Sequence, residues 1–118
     1  MDIEWIRRHC LSYPHTTEEV LWDHLVLKVA GKMFAMAALE PGDHWLSFKC
    51  APEEYAELVE LPGVVPARYL ARAGWISLES EDALAPAEIR RLLGRAYELV
   101  FAKLPRKTRA ALEGRRSG

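Results

Sequence analysis

The chain has 118 residues, half of them hydrophobic, with sixteen basic and seventeen acidic side chains and a formal net charge of −1. A length of this order makes one domain around one core, and balanced charge excludes a disordered polyelectrolyte. Two cysteines make no disulfide framework, no apolar run approaches the roughly 20 residues that span a bilayer, and the start MDIEWIRRHC lacks the apolar stretch of a secretory leader.

These exclusions predict one cytoplasmic domain over residues 1–113, a frayed basic tail at 114–118, and two buried thiols, Cys10 and Cys50. Charge is unevenly spread. Residues 1–85 carry seven basic and fourteen acidic groups, whereas residues 86–118 carry nine basic and three acidic ones. Such a chain is either a dipolar globule or a neutral body with a basic carboxy-terminal surface, and either points weakly to an anionic partner.

Asp2 suits the cap of a first helix with Ile3, Ile6 and Cys10 on one face, ended by Ser12-Tyr13-Pro14. Thr16-Thr17-Glu18-Glu19 has the spacing of a capping box and predicts one short helical turn leading to Trp22. Three strands follow. His24–Ala30 alternates, with Leu25, Leu27 and Val29 opposite Val26, Lys28 and Ala30. Gly31-Lys32 reads as a hairpin turn into the apolar strand Met33–Leu39. Pro41-Gly42-Asp43 is a second turn, and His44–Cys50 alternates again, with Leu46, Phe48 and Cys50 opposite Trp45, Ser47 and Lys49.

Pro52, Glu53 and Glu54 open a helix that stops at Pro62-Gly63. Val64–Ala73 has no clear period, and Gly74–Glu79 reads as a fourth strand. Pro86 opens the longest helix, marked by Ile89, Leu92, Leu93, Ala96, Val100 and Leu104 and broken by Pro105. Arg106–Glu113 suits a last short helix. The order α-β-β-β-α-β-α predicts an α+β two-layer sandwich, an antiparallel sheet with helices on one face.

The stretch from Trp22 to Ala35, WDHLVLKVAGKMFA, resembles the signature hairpin of the MmcQ/YjbR family. Leu46–Cys50 followed by Pro52-Glu53, then Pro66–Leu70, then Trp75–Leu78, and the long helix with Tyr97, Leu99 and Val100 agree in order and spacing. The resemblance covers nearly the whole chain and implies a frataxin-like (CyaY-like) fold. It also implies the family's usual description, predicted DNA binding with a double-wing sheet, without assigned site residues.

The residues themselves offer a basic set. Lys28 and Lys49 lie opposite the apolar stripes of their strands, Lys32 sits at the hairpin turn, Arg68 and Arg72 precede the fourth strand, and Trp45 shares the parity of Lys49. Ammonium and guanidinium groups neutralise phosphates and rings stack on bases, so this set suits nucleic acid. Solvated lysines on an open sheet face would give the same pattern, and the pI of 6.4 is low for a DNA-binding domain. A second set, Arg90, Arg91 and Arg95 with the basic tail, has Glu88 and Glu98 at pairing distance along the helix.

Other chemistry is thin. His9, His15, His24 and His44 show no ligand spacing on one element, so no metal is expected. No nucleophile elbow, phosphate-cradling glycine loop or zinc-protease motif occurs, and His9 beside Cys10 diverges on a helix. The sequence therefore predicts a non-enzymatic, cofactor-free binding module that contacts nucleic acid through Lys28, Lys32, Lys49, Arg68, Arg72 and Trp45. The rival is a protein-interaction module using an apolar sheet surface around Met33, Met36 and Trp45.

Overall fold

The computed structural model describes residues 2–40, 42 and 44–117, the last three by their backbone alone. The expected turn at Pro41-Gly42-Asp43 lies largely outside the described residues. Helix α1 spans Ile3–Leu11; Asp2 caps it as predicted, its Oδ1 accepting from the Trp5 N–H at 2.9 Å. Ile6 and Cys10 face the core.

The capping-box segment is not helical. Thr16–Leu21 is strand β1, paired antiparallel with β2 (His24–Val29) from Thr16↔Val29 to Leu21↔His24. A capping box states only a local preference, and here tertiary partners decide. The neighbouring β2 satisfies the backbone, Glu18 grips Arg7 of α1 at 2.6 and 2.9 Å, and Glu19 grips Lys28. Trp22 and Asp23 make the turn with φ of 46° and 63°. That is the left-handed pair a two-residue hairpin needs.

Strand β3 is Lys32–Ala38, and the turn before it is Ala30-Gly31 (φ 50° and 79°) rather than Gly31-Lys32. Lys32 thus begins the strand. Register slips between Leu27↔Ala35 and Lys28↔Met33, so β3 carries one extra residue, Phe34. Phe34 is fully buried, with its ring against Tyr97 (centroids 5.6 Å apart) and Tyr13 (6.2 Å).

The remaining elements are β4 (Leu46–Lys49), α2 (Pro52–Leu58), β5 (Val64–Pro66), a 3-10 turn at Ala71–Ala73, β6 (Trp75–Leu78), α3 (Pro86–Ala102) and α4 (Arg106–Ser117). The helix expected over 106–113 thus extends through Ser117. The sheet has six antiparallel strands in the order β1-β2-β3-β4-β6-β5. The α+β sandwich is as expected, but β1 and β5 are additions. Val64–Pro66 is too short to show a period, and only its pairing with β6 makes it a strand.

One face of the sheet, with Leu25, Leu27, Ala35, Ala37, Leu46, Phe48, Ile76 and Leu78, packs on Ile6 and Cys10 of α1 and Ile89, Leu92, Leu93 and Ala96 of α3. On the other face one row crosses all six strands through Glu19, Val26, Met36, Ser47, Ser77 and Val65. The Ser47 and Ser77 hydroxyls, both buried, bond each other at 2.6 Å. Among the described residues no helix is long and apolar enough to cross a membrane.

Candidate nucleic-acid interface

Antiparallel order sorts the loops into two ends. The Ala30-Gly31 turn, the end of β4, the β5–β6 connection and the carboxy end of α3 gather at one end. The Trp22-Asp23 turn, the β3–β4 connection and the segment after β6 gather at the other. The first end carries Lys32, Lys49, Arg68, Arg72 and Lys103; the second carries Asp23, Glu40, Glu79, Glu81 and Asp82.

At the basic end a cleft of about 260 Å³ opens between the sheet and α3, lined by Lys32, Met33, Lys49, Trp75, Val100, Lys103 and Leu104. Met33, Trp75, Val100 and Leu104 make an apolar floor, and three lysines stand around it. Lys32 arrives because it opens β3, and Lys49 because it ends β4 opposite Trp75. Lys103 arrives because α3 stops there, before Pro105.

Lys49 is aimed by a backbone device. Its Nζ donates to the Ala73 carbonyl at 2.6 Å, at the end of the 3-10 turn. Gly74 then turns the chain at φ 84°, where a Cβ would meet the Cys50 carbonyl at 3.1 Å. The Gly74 carbonyl in turn accepts the Cys50 N–H at 2.8 Å. Burial, and then the neighbouring Lys103 ammonium, hold the Lys49 pKa below the ordinary lysine value. Two cations at one partly desolvated site are unfavourable unless an anion joins them.

The predicted site residues fare unequally. Lys32 and Lys49 meet in the cleft, at the end of the sheet rather than across its open face. Lys28 is next to Met33 in register, but its ammonium is bound to Glu19. Arg68 and Arg72 are exposed on the connection that carries Ala73. Trp45 does not belong to this surface. It lies at the opposite end, where its backbone N–H donates to the Leu78 carbonyl, and its half-buried side chain packs on the main core. Strand alternation does not govern it, because β4 begins one residue later.

Two members went unrecognised. Lys103 follows a helix whose carboxy end reaches the sheet only in three dimensions. Tyr69, 94% exposed at φ 68°, sits beside Arg68. A non-glycine residue there costs on the order of 1–2 kcal/mol, and the exposed ring returns nothing to the core. The cue was local: a tyrosine in a Pro-Ala-Arg-Tyr stretch with no apolar period.

The arginines of α3 are engaged. Arg91 pairs with Glu88 (2.6 Å) and with Glu54 of α2 (2.9 Å), and Arg95 lies 3.6 Å from both Glu54 and Glu98. The local pairs are as predicted, and Glu54 adds a clamp between helices.

Burial pushes Cys10 and Cys50 up to about 12, as the expected buried thiols require. Both should resist a thiol reagent at pH 8 until the protein is unfolded; rapid labelling of native protein would contradict their burial. His9 is directed to Tyr13, its Nε2 lying 2.8 Å from the phenol oxygen, so it does not form a pair with Cys10.

Burial, then Arg90, hold His9 below its ordinary value of 6.5. Folded His9 therefore binds fewer protons than unfolded His9. Its contribution to stability is present above pH 6.5 and lost as pH falls below it. His9→Gln should flatten the stability profile on the acid side of that pH in urea titrations; an unchanged slope would assign the acid sensitivity elsewhere.

Two histidines do meet, although nothing in their spacing along the chain foretells it. His24 and His44 Nε2 atoms are 2.8 Å apart. The 5.1 Å between ring centroids is that bond plus two ring radii, so the rings lie end to end. The Trp22 carbonyl can only accept, so the proton of that 2.9 Å contact sits on His24 Nδ1. Neighbouring-residue arguments cannot see a pair joined across the β3–β4 connection. Among the described residues no group of three or more metal-ligating side chains exists.

A sequence model of the YjbR family matches residues 11–99. The chain belongs to the YjbR family. Its fold resembles that of Deinococcus radiodurans protein DR2400, a DUF419 domain, with a TM-score of 0.84 at 24% identity over 95% of this chain and 88% of that one. A protein from Pseudomonas syringae is similar with a TM-score of 0.67 at 22% identity, over 84% of this chain and 98% of that one. At these identities both likenesses show the fold alone. No curated protein matches this YjbR chain.

Proposed function

We propose that this YjbR protein is a small non-enzymatic module that binds nucleic acid through its basic end. The observation that carries the reading is the convergence of Lys32, Lys49 and Lys103 on one cleft, with Lys49 partly desolvated beside another cation. An anion there offsets a repulsion the protein otherwise bears. Arg68, Tyr69 and Arg72 extend the basic surface beyond the cleft, which favours an extended polyanion over a single small anion.

Fluorescence anisotropy of labelled oligonucleotides, from low to physiological salt, tests this. The expected result is micromolar binding whose logarithm falls linearly with that of salt concentration. No binding at low salt would end the reading.

A second reading has its own observation. Trp22 is 89% exposed at φ 46°, with Val20 and Leu39 also exposed near the acidic end. Met33, Met36 and Trp45, the expected apolar surface, are half-buried instead. A protein partner would therefore dock around Trp22. Such a partner should survive nuclease treatment of a lysate and fail to bind Trp22→Ala; retention by that variant would dismiss the reading.

A further inference from the structure

Resting on that reading, we infer that the nucleic acid is taken as a single strand, with one unstacked base seated in the lysine-rimmed cleft and a neighbouring base stacked on Tyr69. Lysines alone would serve either a duplex or a single strand. The floor separates the two. Half-buried Met33, with the edges of the nearly buried Trp75, Val100 and Leu104, offers apolar surface in an open cleft of about 260 Å³. That is room for a planar heterocycle and far too little for a paired helix. A duplex keeps its bases stacked inside and shows the protein mainly phosphates, so the floor would meet nothing. A single strand offers ring faces and phosphates in alternation.

The rim matches that alternation. A base on the floor puts its flanking phosphates at the mouth, where Lys32, Lys49 and Lys103 stand. Trp75 is only 4% exposed, so it acts as a fixed wall rather than a mobile platform. Tyr69 is the complement: a 94% exposed residue whose backbone is left-handed, with Arg68 beside it and Arg72 three residues on. Both lie at the same end of the sheet. The cleft and the β5–β6 connection are joined where Lys49 donates to the Ala73 carbonyl, and the proposed strand crosses that link.

The test compares three labelled probes of equal length at one salt concentration: an oligothymidylate, a duplex, and an abasic strand with the same phosphates. The oligothymidylate should bind about tenfold more tightly than the abasic strand, in keeping with the worth of one or two stacked bases, and more tightly than the duplex. Tyr69→Ala, a change at a fully exposed ring, should lose part of that advantage. Met33→Trp, which fills the cleft and leaves each lysine in place, should lose most of the rest. Circular dichroism and thermal melting establish that both variants are folded.

Equal binding of all three probes would overturn the base-insertion inference and leave the phosphate-binding reading standing. So would a single-strand preference that survives both substitutions in folded protein. Absence of binding to every probe would overturn both.

Discussion

Phe34→Ala should cost about 3–5 kcal/mol, the usual range for a fully buried phenylalanine, and lower the melting temperature by on the order of 15 °C. The size follows from position. Phe34 is the extra residue of the β3 bulge, and its ring lies between Tyr13, after α1, and Tyr97 of α3. The Tyr97 hydroxyl also donates to the Pro14 carbonyl at 2.8 Å, so one aromatic cluster ties both helices to the sheet. Removing the ring leaves a void that three elements share and none can fill alone. Urea unfolding of Phe34→Ala and Phe34→Leu would measure it. A loss below about 1 kcal/mol for alanine would mean the bulge does not pin the helices.

The second large effect belongs to binding. Lys32→Glu and Lys103→Glu, combined with Lys49→Gln, should reduce oligonucleotide affinity at low salt by at least about a hundredfold. Glutamine is chosen at 49 because it removes the charge and keeps an N–H donor, whereas a carboxylate would face the Ala73 carbonyl oxygen. The slope of log affinity against log salt should become shallower by about 0.7 for each phosphate of a single strand that the variant no longer neutralises. Stability should stay within about 0.5 kcal/mol, because Lys32 and Lys103 are exposed and make no ion pair among the described residues. Lys28→Gln should weaken binding least, since Glu19 already holds Lys28. Unchanged affinity in the triple variant would remove the cleft from the interface.

Much of this fold could be read from residues. Asp2, Pro52 and Pro86 begin helices where they should, and Leu25/Leu27 and Leu46/Phe48 face the core as alternation requires. The failures share a cause. Thr16–Glu19 obeys a helical rule over four residues, but its strand identity comes from β2. Val64–Pro66 becomes a strand only through β6. The site was half legible for the same reason. Parity named Lys49 and the hairpin named Lys32, while Lys103 and Trp75 join them only where distant segments of the chain pack together. Trp45 misled because strand parity was extended one residue beyond the strand.

The two tight turns also set an order of assembly. Strands β1, β2 and β3 close through Trp22-Asp23 and Ala30-Gly31, so their pairing costs little loop entropy and can begin early in refolding. Strand β4 meets β6 only after α2, β5 and the 3-10 turn have intervened. That late seam is the one that lays Lys49 opposite Trp75. A refolding chain should therefore regain most of its sheet signal before it regains any grip on a ligand, and the competent cleft should be the last part of the molecule to appear.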